Sequence, residues 1–351
     1  MRRMVWVDAA KGVGIILVCF GHVWRGLDNG GLLANAALFR AVDVAIYLFH
    51  MPLFFILSGV LFQKSVERKG IARSAALRIE TLIYPLILWA YVFAAFLYLA
   101  ASVTSRPPLS GWEIATFPFP PKDIFWFVWA LFLVQIVSLP LTRLGTGALA
   151  TVLVAAIALV FATTEHEIHS TVQPAIRHLP YFLVGMIWGR LLAQPPHDRP
   201  KAAMAGLAVA AFLGAEAWIL AHPQMLPTAW GFVGGGIAAA AVCYVAFALA
   251  RFLPARVAAG LEFLGGAAMA IYLTHIFFLS ATRLVLVKLG IASAPVHLLV
   301  GTAATLLGPL ALYCIARRFG LMRLAGFGPA PRAAEKAPPP ATSLPISTSI
   351  R

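Results

Sequence analysis

Long apolar stretches dominate this chain, and they restrict it to a fold that lies within a lipid bilayer. An α-helix needs roughly 20 apolar residues to cross a hydrocarbon layer about 30 Å thick. With 61% hydrophobic and 11% charged residues and a mean hydropathy of +0.87, the chain has too few polar side chains to cover a globule in water. Stretches of suitable length and composition, of which 179–193 is the shortest, lie near 8–27, 41–62, 79–101, 123–140, 147–163, 179–193, 202–221, 229–249, 260–281 and 296–316.

These stretches predict an all-α fold, namely a polytopic integral membrane protein with about ten transmembrane helices. They do not alternate between apolar and polar residues as the strands of a transmembrane β-barrel do. We interpret residues 1–326 as one membrane-embedded domain. Residues 327–351 are rich in Pro, Ala, Ser and Thr, which predicts a disordered tail.

The basic residues indicate how the helices are oriented. The formal net charge is +14, and most lysines and arginines fall on one side of the predicted membrane, including those of a basic loop predicted over 63–78. By the positive-inside rule, both termini are cytoplasmic. We therefore expect a multi-pass protein of a bacterial-type inner membrane. Its charge points to anionic lipid headgroups or a polyphosphate ligand as partners, and not to nucleic acid.

The first predicted helix carries ionisable side chains on one face. Lys11 and His22 are eleven positions apart, about three turns, which returns His22 to within roughly 20° of Lys11. They lie about 16 Å apart along the axis, too far to hydrogen-bond each other. Asp8 is one turn before Lys11, where opposite charges pair. Because such groups are costly in lipid, this face is expected to point into the protein.

Other candidate residues lie further along the chain. Asp43, Tyr47 and His50 share one face of the second helix, and Pro52 is expected to kink that helix beside His50. Tyr272 and His275 lie one turn apart. Several prolines predict an irregular outer loop over 102–122.

Several other polar and aromatic residues either have two interpretations or are best explained by a structural role. Trp126 and Trp129 fit either an interfacial aromatic belt or a stacking surface for a sugar ring. The loop 164–178 contains acidic and histidine side chains, but their spacing matches no metal-ligand signature, so we predict no metal site. Glu216, Glu262 and the cysteines Cys19, Cys243 and Cys314 are interpreted as structural.

Motifs along most of the chain indicate a family. The motifs are DAAKGVGIILVCFGH, FHMPLFFILSG, LRIETLIYP, FWFVWALFLVQ, LPYFLVGMIWGR and MAIYLTH. In order and spacing they resemble the family-3 membrane acyltransferases over roughly residues 3–320, and the FGH and FHMPLFF segments are similar to the fucose 4-O-acetylase-like branch.

The resemblance implies transfer of an acyl group, usually acetyl from cytoplasmic acetyl-CoA, to a hydroxyl of a glycan or lipid-linked sugar, without a bound cofactor. The family signature of a basic residue, ten residues and a histidine falls on Lys11 and His22. A second arginine, often found shortly after the one that matches Arg78, is replaced here by Thr81.

Histidine is the side chain best matched to proton transfer at neutral pH, so we expect His22 to be a general base or an acyl carrier. Lys11, oriented by Asp8, is expected to hold the donor. The substrate-binding candidates are Arg78 for CoA, and His50, Asp43, Trp126 and His275. An alternative function is a secondary transporter or flippase, since polar groups along a path between helices fit that class too. A different acyl group, such as succinyl, is a further alternative.

Overall fold

The computed structural model describes residues 4–101, 107–164, 166, 169–194 and 199–328, and over these residues the chain is helical without any strand. The expected all-α fold is therefore confirmed. Most of the predicted tail, residues 329–351, lies outside the described part. The helices are α1 Val5–Asn29, α2 Ala36–Lys69, α3 Ile71–Arg78, α4 Tyr84–Ala100, α5 Gly111–Ala115, α6 Trp126–Ser138, α7 Thr146–Thr163, α8 Gln173–Leu191, α9 Ala202–Ala221, α10 Ala229–Leu249, α11 Ala255–Lys288 and α12 Ala294–Arg318.

Within the described residues, nine helical segments are long and apolar enough to cross a membrane. They correspond to nine of the ten predicted spans. The tenth corresponds to α8, whose 19 residues extend about 28 Å. This helix carries Arg177, His178 and Arg190, and these polar residues lower its hydropathy.

Helices α1 and α2 form the centre of the bundle. The apolar window of α2 is 78% buried, whereas those of the peripheral helices α7 and α9 are 17% buried. Helix α2 packs mainly on α8, α10 and α1, and α1 packs mainly on α11, α2 and α12. Ile15 and Val18, which lie between Lys11 and His22 on the same stripe of α1, are almost fully buried. The polar stripe of α1 therefore faces protein, as expected from its cost in lipid.

Glycines bring the central helices into backbone contact. A Cβ at Gly59 of α2 would overlap the carbonyl oxygen of Phe182 in α8, and one at Gly185 would overlap that of Ile56. The same holds between α1 and α11, where Gly12 and Gly265 each lie against a backbone carbonyl of the other helix. Small residues allow this close approach, which is a common way for helices to associate in a membrane.

The helix order places the ends of the helices on two faces. Helices α1 and α11 run parallel, because Gly12 lies near Leu261, His22 contacts His275, and Gly30 lies near Arg283. Successive spans alternate in direction. The first turns of α2, α6, α8 and α10 therefore share the face at which α1 ends, opposite Asp8 and Lys11. We name these the far face and the near face.

Helix α2 continues through Pro52 without a break from Ala36 to Lys69. A proline removes the hydrogen bond to the carbonyl four residues earlier, which is that of Leu48. That carbonyl lies against Gly235 of α10, so closely that a Cβ there would overlap it. The backbone of α10 therefore covers the freed carbonyl, in the way that neighbouring helices accommodate prolines in membranes.

The predictions of loops over 63–78 and 102–122 were partly wrong. The basic segment 63–78 is helical, and only Gly70, with φ 79°, separates α2 from α3. Its other residues favour a helix, and glycine adopts the positive φ of the break readily. The loop 102–122 contains the short helix α5, in which Ser110 and Glu113 form a capping box. Hydrogen bonds from the Ser110 side chain and backbone hold the pKa of Glu113 below its usual value.

The segment after α12 docks on α4. The Tyr84 hydroxyl donates to the carbonyl of Leu324 over 2.6 Å, and the indole of Trp89 donates to that of Ala325 over 2.9 Å. Phe327 stacks on Trp89 with 5.7 Å between ring centroids. Residue 327, at which the predicted tail begins, is therefore still packed against the bundle.

We expect Gly185→Leu to destabilise the fold, because its side chain has to displace the backbone of α2 at Ile56. Overpacking of this kind costs about 1–3 kcal/mol or more. The control is Gly206→Leu on α9, where a Cβ meets no atom within 4 Å. Thermal unfolding in detergent, followed by size-exclusion chromatography, should show a lower midpoint for Gly185→Leu alone. Equal midpoints for the two variants would contradict close α2–α8 packing.

Candidate functional site

Histidines from α1 and α11 meet inside the bundle. The rings of His22 and His275 lie 4.9 Å apart between centroids and are tilted by 51°. His275 is fully buried, and its Nδ1 is 2.7 Å from the carbonyl oxygen of Tyr272. Its Nε2 is buried without a hydrogen-bond partner. The Tyr272 hydroxyl donates to the carbonyl of Ile124, which fixes α11 to the turn before α6.

His50 of α2 is also buried, and its Nδ1 lies 2.8 Å from the carbonyl oxygen of Ile46. Its ring stands perpendicular to that of Tyr47, with 4.6 Å between centroids. The Tyr47 hydroxyl is buried without a partner and lies against α1 at Gly21, next to His22. The side chains of Tyr47 and His50 therefore extend the histidine pair toward α2.

An ion pair joins the end of α1 to the start of α2. Arg25 donates from Nε to Asp43 Oδ1 over 2.6 Å and from a terminal nitrogen to Oδ2 over 2.9 Å. The guanidinium also lies 3.2 Å from the centroid of the Tyr47 ring, a cation–π contact. Both carboxylate oxygens of Asp43 are engaged by Arg25. The sequence analysis did not select Arg25, although its position three residues after His22 places it on the same face.

Lys11 and Asp8 lie near the opposite end of α1. The Lys11 Nζ is 3.8 Å from Asp8 Oδ1, and both side chains are mostly buried. The predicted pairing is therefore confirmed. Helix geometry places Lys11 about 16 Å from His22 along the axis, so these two residues contribute to different parts of the protein.

Arg78 ends α3 next to a π-helical turn, Ile79–Ile83, and is 8% exposed. Its Nε donates to Gln135 Oε1 of α6 over 2.6 Å, and its guanidinium lies 5.2 Å from the Phe62 ring centroid. Thr81, at the position where a second arginine was expected, donates instead to the carbonyl of Leu77. Gln135 was not selected from the sequence, because it is distant along the chain.

A cavity of about 460 Å³ lies at the far face. Helices α2, α6, α8 and α10 and the turn before α10 form its walls. Trp126 is one of the lining residues, which are Tyr47, Leu48, Met51, Pro52, Trp126, Gln173, Pro174, Arg177, His178, Tyr181, Leu226, Pro227 and Gly231. Tyr47 belongs both to this lining and to the histidine cluster, so the two features share a wall.

Two basic residues of α8 shape this cavity. Arg177 donates to the carbonyls of Leu226, Pro227 and Thr228 over 2.8–3.1 Å and so fixes the α9–α10 turn. The His178 ring stacks on Phe55 at 4.5 Å between centroids and lies 5.4 Å from that of Trp126. The sequence analysis included both residues only in a polar outer loop, and did not select Tyr181. Their place at the start of an amphipathic segment was the available signal.

The remaining predictions concern a metal site, Trp129 and a glutamate interpreted as structural. No group of three or more potential metal ligands occurs among the described residues, and Glu165 and Glu167 of the loop considered for metal lie outside them. Trp129 donates from its indole to the carbonyl of Thr171 over 3.0 Å. Both carboxyl oxygens of Glu216 are buried without a hydrogen-bond partner.

Comparison with known proteins connects this geometry to a family. A family model described as an acyltransferase domain matches residues 4–314. The nodulation protein NolL of Mesorhizobium japonicum is 29% identical over 200 residues, which cover 55% of this chain and 49% of NolL. NolL of Sinorhizobium fredii is 27% identical over 206 residues, covering 55% and 50%. The chain thus matches about half the length of these relatives. No solved structure matches.

We expect Asp43→Asn to destabilise the protein by about 1 kcal/mol, because it removes the acceptor charge of a bidentate ion pair whose carboxylate is mostly buried. Glu80→Gln is the control, since it breaks the exposed pair with Arg323, for which we expect less than about 1 kcal/mol. Thermal unfolding in detergent compares the two variants. Equal losses would show that Arg25 and Asp43 do not connect α1 and α2 as strongly as their geometry indicates.

Proposed function

Because the chain belongs to the acyltransferase-domain family, we propose that it is a membrane O-acyltransferase of the bacterial inner membrane. Its reaction moves an acyl group, acetyl in the simplest case, from cytoplasmic acyl-CoA to a hydroxyl of a glycan or lipid-linked sugar. One observation supports this most directly. His22 is partly exposed and lies beside the buried ring of His275, between the Lys11–Asp8 pair near one end of α1 and an aromatic cavity near the other.

The near face suits the donor. Lys11 is a partly exposed cation held by Asp8, and it can interact with a phosphate or amide oxygen of CoA. Arg78, fixed by Gln135, adds a second basic group. Ile15 and Val18 fill the stripe between Lys11 and His22, so the long, thin pantetheine arm of CoA reaches His22 only when the helices packed on this stripe move apart. This division gives Lys11 and His22 the separate roles that their distance requires.

The far face suits a sugar acceptor. The cavity has a volume in the range usual for small-ligand sites, and it combines aromatic rings with a few polar groups. Trp126, Tyr181 and Tyr47 offer flat apolar surfaces, while Gln173 and His178 offer hydrogen bonds. None of the described lining residues is acidic, so the cavity favours a neutral or anionic sugar. This arrangement supports the stacking interpretation of Trp126 over a purely interfacial one.

The chemistry requires one proton to move from oxygen to sulfur. His22 takes the proton of the acceptor hydroxyl as the oxygen attacks the thioester carbon and the new C–O bond forms. When the C–S bond breaks, the same proton passes from His22 to the CoA thiolate. The products are an ester and free CoA, and His22 returns to its neutral form. This direct version assigns His22 as the general base rather than as an acyl carrier.

We expect His22→Ala to lower acetyl transfer at least 100-fold, because it removes the general base. Lys11→Ala should mainly raise the KM for acetyl-CoA. The assay uses membranes that contain each variant at equal level, radiolabelled acetyl-CoA and total glycan extract. Matched controls are His222→Ala, at the exposed end of α9, and Lys288→Ala, at the end of α11, which should retain wild-type activity. Wild-type labelling by His22→Ala would refute histidine-dependent catalysis.

Trp126→Ala should raise the glycan concentration needed for half-maximal labelling about 5-fold, as expected for loss of one aromatic stacking contact. The KM for acetyl-CoA should stay unchanged, because Trp126 lies on the acceptor side. Trp112→Ala is the control, since Trp112 is on α5 and is 77% exposed. If Trp126→Ala instead raises only the KM for acetyl-CoA, the cavity binds the donor and the assignment of the two faces is reversed.

A further inference from the structure

The unpartnered nitrogen of His275 is the starting point. A buried nitrogen without a hydrogen-bond partner is costly, and such groups are rare unless a ligand or a partner completes them. The Nε2 of His275 is buried and unpartnered, while Nδ1 of the same ring points to the carbonyl oxygen of Tyr272 at 2.7 Å. A carbonyl oxygen only accepts hydrogen bonds, so Nδ1 carries a proton. The neutral ring therefore presents Nε2 as a bare acceptor.

The ring in closest contact with His275 is that of His22. Their centroids are 4.9 Å apart, closer than the 6.0 Å between His275 and Tyr272. At this separation, the two rings can form a hydrogen bond when an edge nitrogen of each ring faces the other. Hydrogen bonds between catalytic groups are often long in the absence of substrate and shorten in the reacting complex. None of the described ring contacts or hydrogen bonds of His275 involves a carboxylate that would favour a second proton on it.

We propose that His275 is a positioning residue for His22, an inference that rests on the proposed function. Its Nε2 accepts the N–H of His22, which selects one tautomer of His22 and leaves the other His22 nitrogen unprotonated toward the acceptor hydroxyl. During transfer, that nitrogen takes the hydroxyl proton, and the resulting imidazolium keeps its hydrogen bond to His275. The proton then leaves to the CoA sulfur. His275 itself neither gains nor loses a proton in this cycle.

The backbone reinforces this role. Helices α1 and α11 approach closely at Gly12 and Gly265, where any larger side chain would meet a backbone carbonyl of the other helix. His22 and His275 each lie ten residues beyond these glycines on the same two parallel helices. The Tyr272 hydroxyl bond to Ile124 anchors the same turn of α11 to the turn before α6. His275 is thus held by rigid helices, as a residue that orients another must be.

The kinetic test compares His275→Phe with His275→Gln, in membranes that contain equal amounts of folded protein. Phe keeps the ring volume and removes the acceptor, so kcat should fall about 100-fold while the KM for acetyl-CoA and for the glycan stay unchanged. The Gln amide oxygen reaches a position near that of Nε2, so kcat should return to within about 10-fold of wild type. His222→Gln is the control, with wild-type kcat.

Three kinetic results would overturn the proposal. In the first, His275→Phe keeps the wild-type kcat. In the second, only the KM for the glycan rises, which would make His275 a substrate-binding residue. In the third, His275→Gln is no more active than His275→Phe.

A second readout does not depend on activity. Nitrogen-15 spectra of histidine-labelled protein in nanodiscs report the tautomer of each ring, and the His22 signal is identified by its loss in His22→Ala. We expect one neutral tautomer of His22 in the wild type and a mixture in His275→Phe. A single tautomer in both would refute the proposal. If the wild type transfers no acetyl group, the proposed function fails, and these spectra still decide whether His275 orients His22.

Discussion

Ionisable side chains in a hydrocarbon layer cost about 2.5–3.5 kcal/mol each near its centre, and this cost organises the bundle. Helix α1 carries Asp8, Lys11 and His22 along one stripe. The cost is relieved only if that stripe faces other helices. Helices α11 and α2 provide this cover, and Gly12 of α1 and Gly265 of α11 let those two helices approach each other closely. The position of α1 at the centre of the protein follows from its own polar residues.

The same constraint separates two chemical environments along α1. The near face has a lysine held by an aspartate, which suits an anionic cofactor-like donor. The far face has aromatic rings and no acidic lining residue among those described, which suits a sugar. Between them lies the His22–His275 pair, of which His275 is fully buried. The proposed reaction, which joins a cytoplasmic thioester to an acceptor on the other side, uses this order. Under that proposal only an acyl group and a proton pass His22, whereas a transporter would need a path for the solute itself.

Local patterns made much of this fold predictable. The apolar stretches located the helices, and the spacing of Asp8 and Lys11 predicted their ion pair, because both properties depend on residues close in the chain. The helical structure of residues 63–78 was missed, because the many charged residues of this segment were interpreted as a loop. The partners of the candidate residues were also missed. Arg25 with Asp43, Arg78 with Gln135, and His22 with His275 are contacts between different helices. Such contacts depend on helix packing, which no periodicity reports.

The bonds from Arg177 to the α9–α10 turn connect the cavity with the edge of the protein. Helix α9 is mostly exposed to lipid, with only 17% of its apolar window buried, yet the turn that follows it forms one wall of the cavity. A peripheral helix adjusts its tilt to the thickness of the surrounding bilayer. Because Arg177 ties that turn to α8, the cavity wall is held by the interior of the bundle and not by α9. The wall can therefore keep its position when the tilt of α9 changes.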